Sequence, residues 1–390
     1  MGPLLIAIYR GIHVWVRTCR IRSSRVSVER ECIVFIIMIT HGVFVVVRRW
    51  LLVLIVVLLP LCYGGIVSIS GHELDDVYMQ LMQLNKPALK SIKSPDGDII
   101  DCVHISHQPA FDHPLLKNHT IQMRPSYHPE GLFEENKQSI PNSNEGISKS
   151  ITQLWHLNGR CQEETIPIRR TKMKEILRAS SIKSFGKKKY GTIPEPTMST
   201  QSEPIKLSAH LHAIGFVQGD KYYGTKATMN VWKPILQQSK EFSLSQLWII
   251  AGSYPSDLNT IEAGWQDPRS GDWWLQYGNE LVGYWPTSLF SYLADSASQI
   301  QWGGEVLNFE SGGQHTTTQM GSGHFPEEGF GKASFMKNIQ IVDGSNHLIA
   351  PIGFGTFAEQ SNCYNVQMGN DGDWGNYIYY GGPGRNPSCP

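Results

Sequence analysis

The sequence predicts an all-β protein, an antiparallel β-sandwich preceded by a small mixed α/β domain. Three observations predict it. From Leu207 onward, apolar and polar residues alternate in short runs separated by Gly-, Asp-, Asn- and Pro-rich turns. No helical stretch of convincing length interrupts them. Composition then shifts at about residue 190: 8 of the 11 Trp and 26 of the 37 Gly lie beyond it. Residues 191–390 hold 9 Lys/Arg against 18 Asp/Glu, so the first 190 residues carry +9 although the 390-residue chain is neutral. Charged residues make up only 17% of the chain, which excludes a disordered tail or a coiled coil. The zero net charge argues against a nucleic-acid partner.

The first element, residues 1–70, reads as a leader. Residues 1–49 hold eight Arg and only two acids, Glu29 and Glu31. Arg48-Arg49 then precede the apolar run 50–62 and the small residues Gly64, Gly65 and Ser70. This is the pattern of a secretory signal cleaved near Gly65–Ser70, and Met38 offers an alternative start. The run is short of the ~20 residues of a membrane span, so a membrane partner enters only if the leader is an uncleaved signal anchor. The expected location is therefore extracellular, in the cell wall or in the vacuole.

Residues 71–168 form the mixed domain. Leu74, Val77, Leu81, Leu84 and Leu89 predict an amphipathic helix over 73–92, broken by Pro87, and a loop-rich stretch follows. Residues 169–205 are a linker opened by the basic run Arg169–Lys189, a place for a processing cut. The sandwich occupies residues 206–390. Its expected strands include 207–216, 227–232, 245–251, 273–277, 281–285, 298–302 and 338–342.

In an exported chain, two cysteines per region suggest bridges between Cys102 and Cys161 and between Cys363 and Cys389. Asn118-His119-Thr120 is a glycosylation sequon at Asn118. No Cys-x-x-Cys or His-x-x-x-His spacing occurs, so neither a metal nor another cofactor is expected. His315 and His324 lack ligand spacing and read as structural or hydrogen-bonding groups. Gly321-Ser322-Gly323-His324 is no nucleophile elbow, which needs Gly-x-Ser-x-Gly on an α/β sheet.

Two acids stand out. Glu262 lies in Leu258-Asn-Thr-Ile-Glu-Ala-Gly-Trp265, and Glu305 follows two glycines in Trp302-Gly-Gly-Glu305. A carboxylate on an apolar, Trp-lined strand is costly unless paired or protonated. Two such groups facing each other would split their protonation states, as acid–base hydrolysis requires.

Those motifs, with Phe111-Asp-His-Pro-Leu-Leu-Lys-Asn118, Thr165-Ile-Pro-Ile-Arg-Arg-Thr171, Tyr223-Gly-Thr-Lys-Ala-Thr228, Gly283-Tyr-Trp-Pro286, Met320-Gly-Ser-Gly-His-Phe-Pro-Glu-Glu-Gly-Phe-Gly331 and Tyr380-Gly-Gly-Pro-Gly-Arg385, resemble the neprosin family of plant glutamic endopeptidases. The resemblance spans most of residues 72–390. It implies a secreted zymogen that cleaves after proline in acid, with proline-containing peptides as substrates and its own propeptide as inhibitor. On it, Glu262 and Glu305 are the catalytic pair, one activating water and the other stabilising the tetrahedral intermediate. Trp265, Trp302 and Tyr284, inside the matching motifs, are the candidate substrate-binding aromatics. The chain departs from the family after Gln266, where relatives carry further strands and a cysteine pair. That departure supports an alternative, a catalytically inactive relative acting as a binding or cell-wall protein. The Trp-rich face supports another, a two-carboxylate glycosidase or sugar-binding sandwich.

Overall fold

The structure is a computed structural model that describes residues 6–7, 71–132, 153–177, 185, 193–196, 209–254, 257–309 and 313–390. The apolar leader run, the expected cleavage region near Gly65–Ser70 and most of the basic linker lie outside the described residues. Among those described, no helix is long and apolar enough to cross a membrane. Of the compact unit formed by residues 20–79, only the start of helix α1 (Gly71–Leu84) is described.

The protein is all-β with little helix, as the alternation predicts. One sheet has the strand order β15-β5-β12-β7-β8, formed by Gly355–Ala358, His210–Tyr222, Ala297–Leu307, Ser243–Ser253 and Asp257–Ile261. The facing sheet runs β1-β11-β10-β9-β6-β13-β17-β16, with β14 (Leu348–Ile349) paired to β13. Its strands are Ile6–Ala7, Glu280–Trp285, Trp273–Tyr277, Gly264–Gln266, Gly224–Met229, Ser334–Val342, Gly375–Gly381 and Asn365–Asp371. All the strand pairs in both sheets are antiparallel.

Period-two alternation builds the core directly, because every second side chain points to the same face. Leu211, Ala213 and Val217 of β5, Leu247 and Ile249 of β7, and Ile300, Trp302 and Val306 of β12 pack between the sheets. They meet Trp273, Val282, Met336, Ile339, Ile378 and Tyr380 from the other side. The Cys363–Cys389 bridge closes the C-terminal loops over this core.

Strand β9 sits between β10 and β6, although β8, directly before it in sequence, belongs to the other sheet. The chain crosses between sheets at Glu262 and Ala263. Gly264 permits the crossing: its φ is +122°, and an added Cβ would lie 2.1 Å from the Trp274 carbonyl oxygen. Trp265 then pairs with Trp274, so Ile261–Gln266 is joined directly to the Asp267–Trp274 turn and strand.

The small domain is a three-stranded antiparallel sheet of β2 (Ala88–Lys93), β3 (Ile99–His104) and β4 (Thr165–Arg169), preceded by α1 and followed by the single turn α2 (Met173–Ile176). Here the helix expected over 73–92 is corrected. It stops at Leu84, and Leu89 and Ile92 belong to strand β2. Pro87 disfavours helical backbone at Lys86, and Asn85 is pinned by two hydrogen bonds to Thr171, donating to its carbonyl (2.9 Å) and accepting from its amide (2.8 Å). Cys102–Cys161 ties β3 to the loop before β4. Arg170 adds a two-pronged contact to the buried Asp101, at 2.7 and 2.6 Å.

The chain following β3 then runs onto the sandwich. The Tyr284 hydroxyl accepts from the Gln122 amide (2.8 Å) and bonds the His119 ring (2.7 Å). Gln122 also donates to Asp272 (2.6 Å), and the Ser126 amide donates to Asp267. Asn346 donates to the His128 carbonyl (3.0 Å), and Glu130 pairs with His347 at 3.1 Å.

Candidate active site around Glu305

Glu305 lies near the end of β12, on the face of the five-stranded sheet turned away from the core. Its two preceding glycines are required by packing. At Gly303, φ is +152° and a Cβ would lie 2.2 Å from the Ala213 carbonyl oxygen of β5. At Gly304, a Cβ would press on Met320 and Tyr380 of the opposite side. The pair lets β12 sit tight in the sheet centre and sets the Glu305 carboxylate beside β5.

On β5 the alternation that sends Leu211 and Ala213 inward sends His210 and His212 to the Glu305 face. In register, Glu305 is directly opposite His212. Its Oε1 lies 2.5 Å from His210 Nδ1, and its Oε2 lies 3.8 Å from His212 Nε2. Glu359, just past β15, accepts from His212 twice, from ring Nδ1 at 2.9 Å and from the backbone amide at 2.5 Å. His212 is buried and edge-on to Trp248. Burial works against its charged form. Glu359, with Glu305 behind it, outweighs that loss and raises the ring above its ordinary pKa of 6.5.

Further along the same face, Ile214, Trp248 and Ile250 make an apolar floor. Residues 193–196, Ile-Pro-Glu-Pro, lie on it. Ile193 packs into the floor with Leu244, Tyr254, Leu258 and Phe357, and Pro196 is buried. Gln301 of β12, four residues before Glu305, donates to the Pro194 carbonyl at 2.9 Å. Its other amide atom, Oε1, is buried with no hydrogen-bond partner among the described residues.

The structure does not bring Glu262 to Glu305. Ile261 is level with Ile249 on β7, which is level with Ile300 on β12. Glu262 is thus two strands across and about four residues along, roughly 17 Å from Glu305 between Cα atoms by standard strand spacings. It is half-buried at the crossing between sheets. The three candidate aromatics are also elsewhere. Trp302 points into the core, bonded to Thr225 and edge-on to Phe354, on the opposite face of β12 from Glu305. Trp265 donates to the Tyr127 carbonyl and lies under the His128 ring. Tyr284 is fully buried, stacked on Trp274 and bonded to Gln122.

Other sequence-marked residues take structural places. His315 lies beside Cys363 and Cys389, the only such three-residue group among the described residues, but both sulfurs are bonded to each other and offer no ligand. His324 pairs with Glu328 on the surface. Asn118 is exposed. What sequence reasoning missed is the set around Glu305: His210, His212, Glu359 and Gln301. One signal was available, the His-x-His spacing at 210 and 212, which places both rings on one face of a strand.

A small domain thus precedes the sandwich, and residues 193–196, between the two in sequence, lie on the Glu305 face. Comparison with known families agrees. Residues 91–216 match the family model for the neprosin activation peptide, and residues 265–383 match that for the neprosin domain. The two matches cover more than half of the chain, which belongs to the neprosin family. Glu305 lies inside the second match, and Glu262 lies between the two.

Proposed function

We propose that the chain is a secreted peptidase zymogen that hydrolyses peptide bonds following proline in acid, with Glu305 as its water-activating carboxylate and its activation region as inhibitor. The observation that carries this reading is the occupancy of the Glu305 face. A proline-bearing stretch of the chain itself, residues 193–196, rests there with the Pro194 carbonyl held by Gln301. A proline-bearing substrate presents the same chemistry, an extended backbone with carbonyls for Gln301 and apolar groups for the Ile214, Trp248 and Ile250 floor.

A water oxygen bonds to the peptide carbonyl carbon while its proton passes to Glu305. That proton then leaves with the amine as the C–N bond breaks. A positioned general base of this kind contributes about 10²–10⁴-fold. Export fits the leader pattern and the two disulfides, which suit an oxidising compartment.

A second reading is favoured by the placement of Glu262. A dyad of Glu262 and Glu305 needs both carboxylates at one bond, and the strand register holds them apart. On that reading the chain is a non-catalytic relative, and the Glu305 face binds peptide without cutting it. One experiment separates the two. Proline-containing peptides are incubated in acid with the intact chain and with Pro194→Ser/Ile193→Ser, which loosens the covering segment. Cleavage that rises in the loosened form and vanishes in its Glu305→Gln version supports the peptidase. Peptide retention without cleavage supports the binder.

A further inference from the structure

Glu305 is the third member of a chain of alternating acids and bases. Glu359 holds His212, His212 faces Glu305, and Glu305 holds His210. The four side chains are between 2% and 18% exposed, so they interact largely out of bulk water. Burying two ion pairs is a poor way to gain stability, because desolvation offsets most of the attraction. An arrangement that costs this much is better explained by what it does to Glu305.

We propose that His210, His212 and Glu359 form a positioning frame that keeps Glu305 ionised and in one orientation in acid, where an isolated glutamate would take up a proton. This rests on Glu305 being the hydrolytic carboxylate. The frame works in two layers. Glu359 accepts from the His212 amide and from its Nδ1–H, which fixes the ring plane and directs Nε2 at Glu305. That Nε2 has no hydrogen-bond partner among the described residues, so its proton is available to the Glu305 carboxylate. His210 contacts the other carboxylate oxygen at 2.5 Å. A positive group beside a carboxylate favours its charged form, and ring nitrogens of two histidines face this one.

Among the described residues, strand β7 sets no titratable side chain against this face. Strand β7 presents Leu244, Gln246 and Trp248 opposite Glu305, Gly303 and Gln301. The Phe242 ring lies against His210. Among the described residues of the covering segment, 193–196, the charged group is Glu195, whose field is felt at Tyr254, beyond Gln301.

The test uses ring NMR titrations on the intact chain, which need no activity, together with pH profiles of proline-peptide cleavage by the loosened form. Variants are His210→Gln, Glu359→Gln and Glu305→Gln. The expected result is a His212 ring that holds its proton above the ordinary histidine range and loses it at lower pH in Glu359→Gln and in Glu305→Gln. In the cleavage profile, His210→Gln moves the acid limb upward by about one pH unit, because Glu305 then protonates sooner. A His212 titration unmoved by both glutamine replacements overturns the frame, whatever the activity. A His210→Gln enzyme that is slower by one factor at every pH, with limbs unmoved, also overturns it and leaves a structural ion pair. If the wild-type side chains cleave nothing while the rings respond as stated, the hydrolytic reading of Glu305 fails instead.

Discussion

Glu305 and Glu262 come from equally suggestive sequence motifs, and the fold treats them differently. Glu305 stands near the end of the central strand of a five-stranded sheet, flanked by two histidines and a second glutamate, and facing away from the core. Glu262 stands at a sheet-to-sheet crossing, where Gly264 turns the chain and Trp265 enters a strand next to Trp274. The first position is held by long strand pairs on both sides. The second is a junction between a five-residue and a three-residue strand. A carboxylate gains chemical character from what the fold places around it, and at Glu305 that set is His210, His212 and, behind them, Glu359.

Each of the two positions depends on a nearby glycine. Gly303→Ala and Gly264→Ala each force a Cβ to about 2 Å from a carbonyl oxygen. Each should cost about 2–4 kcal/mol, from left-handed strain plus overpacking. Denaturant unfolding checks the cost. Gly303→Ala should also disturb the His210 and His212 ring signals, while Gly264→Ala should leave them in place.

Next come the two bridges. Cys102–Cys161 closes 59 residues and Cys363–Cys389 closes 26. Loop-closure entropy gives about 4 kcal/mol for the first and about 3.5 for the second. Paired Cys→Ser variants followed by thermal unfolding should show the first loosening the small domain and the second lowering the melting of the sandwich.

The pH effects are smaller and opposite in sign in the two parts of the molecule. The raised His212 pKa means that the folded sandwich holds this proton more tightly than the unfolded chain does. Its contribution is complete below about pH 6.5 and is lost as pH rises through the folded value. Wild-type protein should therefore melt higher in mild acid than at pH 8, with a smaller difference in Glu359→Gln. His128, in the segment lying over Trp265, has its pKa lowered, chiefly by lost hydration and against the pull of Asp267. Its contribution is complete above about 6.5 and is lost as pH falls, so acid weakens this contact while it strengthens the Glu305 frame. Hydrogen exchange of residues 119–130 should rise on acidification, and less so in His128→Phe.

Much of this was legible in the sequence. Period-two alternation located β5, β7, β10, β11, β12 and β13, because each strand buries one face against the same core. The paired cysteines announced both bridges. The C-terminal strands β15, β16 and β17 were not visible: β15 and most of β16 are half-buried or exposed, and Tyr377-Ile-Tyr-Tyr380 of β17 shows no polar–apolar alternation although Ile378 and Tyr380 are buried. Pro87, which interrupts the apolar spacing over 73–92, marks the boundary between a helix and a strand. The environment of Glu305 was illegible for a simpler reason. His210 and Glu359 lie 95 residues before and 54 residues after it, and strand pairing over such distances leaves no local signal.

On the proposed reading, Glu305, and not a Glu262–Glu305 pair, would be the hydrolytic centre of this chain. The most direct measurement compares proline-peptide cleavage in acid by Pro194→Ser/Ile193→Ser protein carrying either Glu305→Gln or Glu262→Gln. The expected result is a loss of about 10²–10⁴-fold for Glu305→Gln, on the scale of a removed general base, and a rate within about twofold of the parent for Glu262→Gln. Equal losses in the two variants would contradict it and would show that the two glutamates act at one bond.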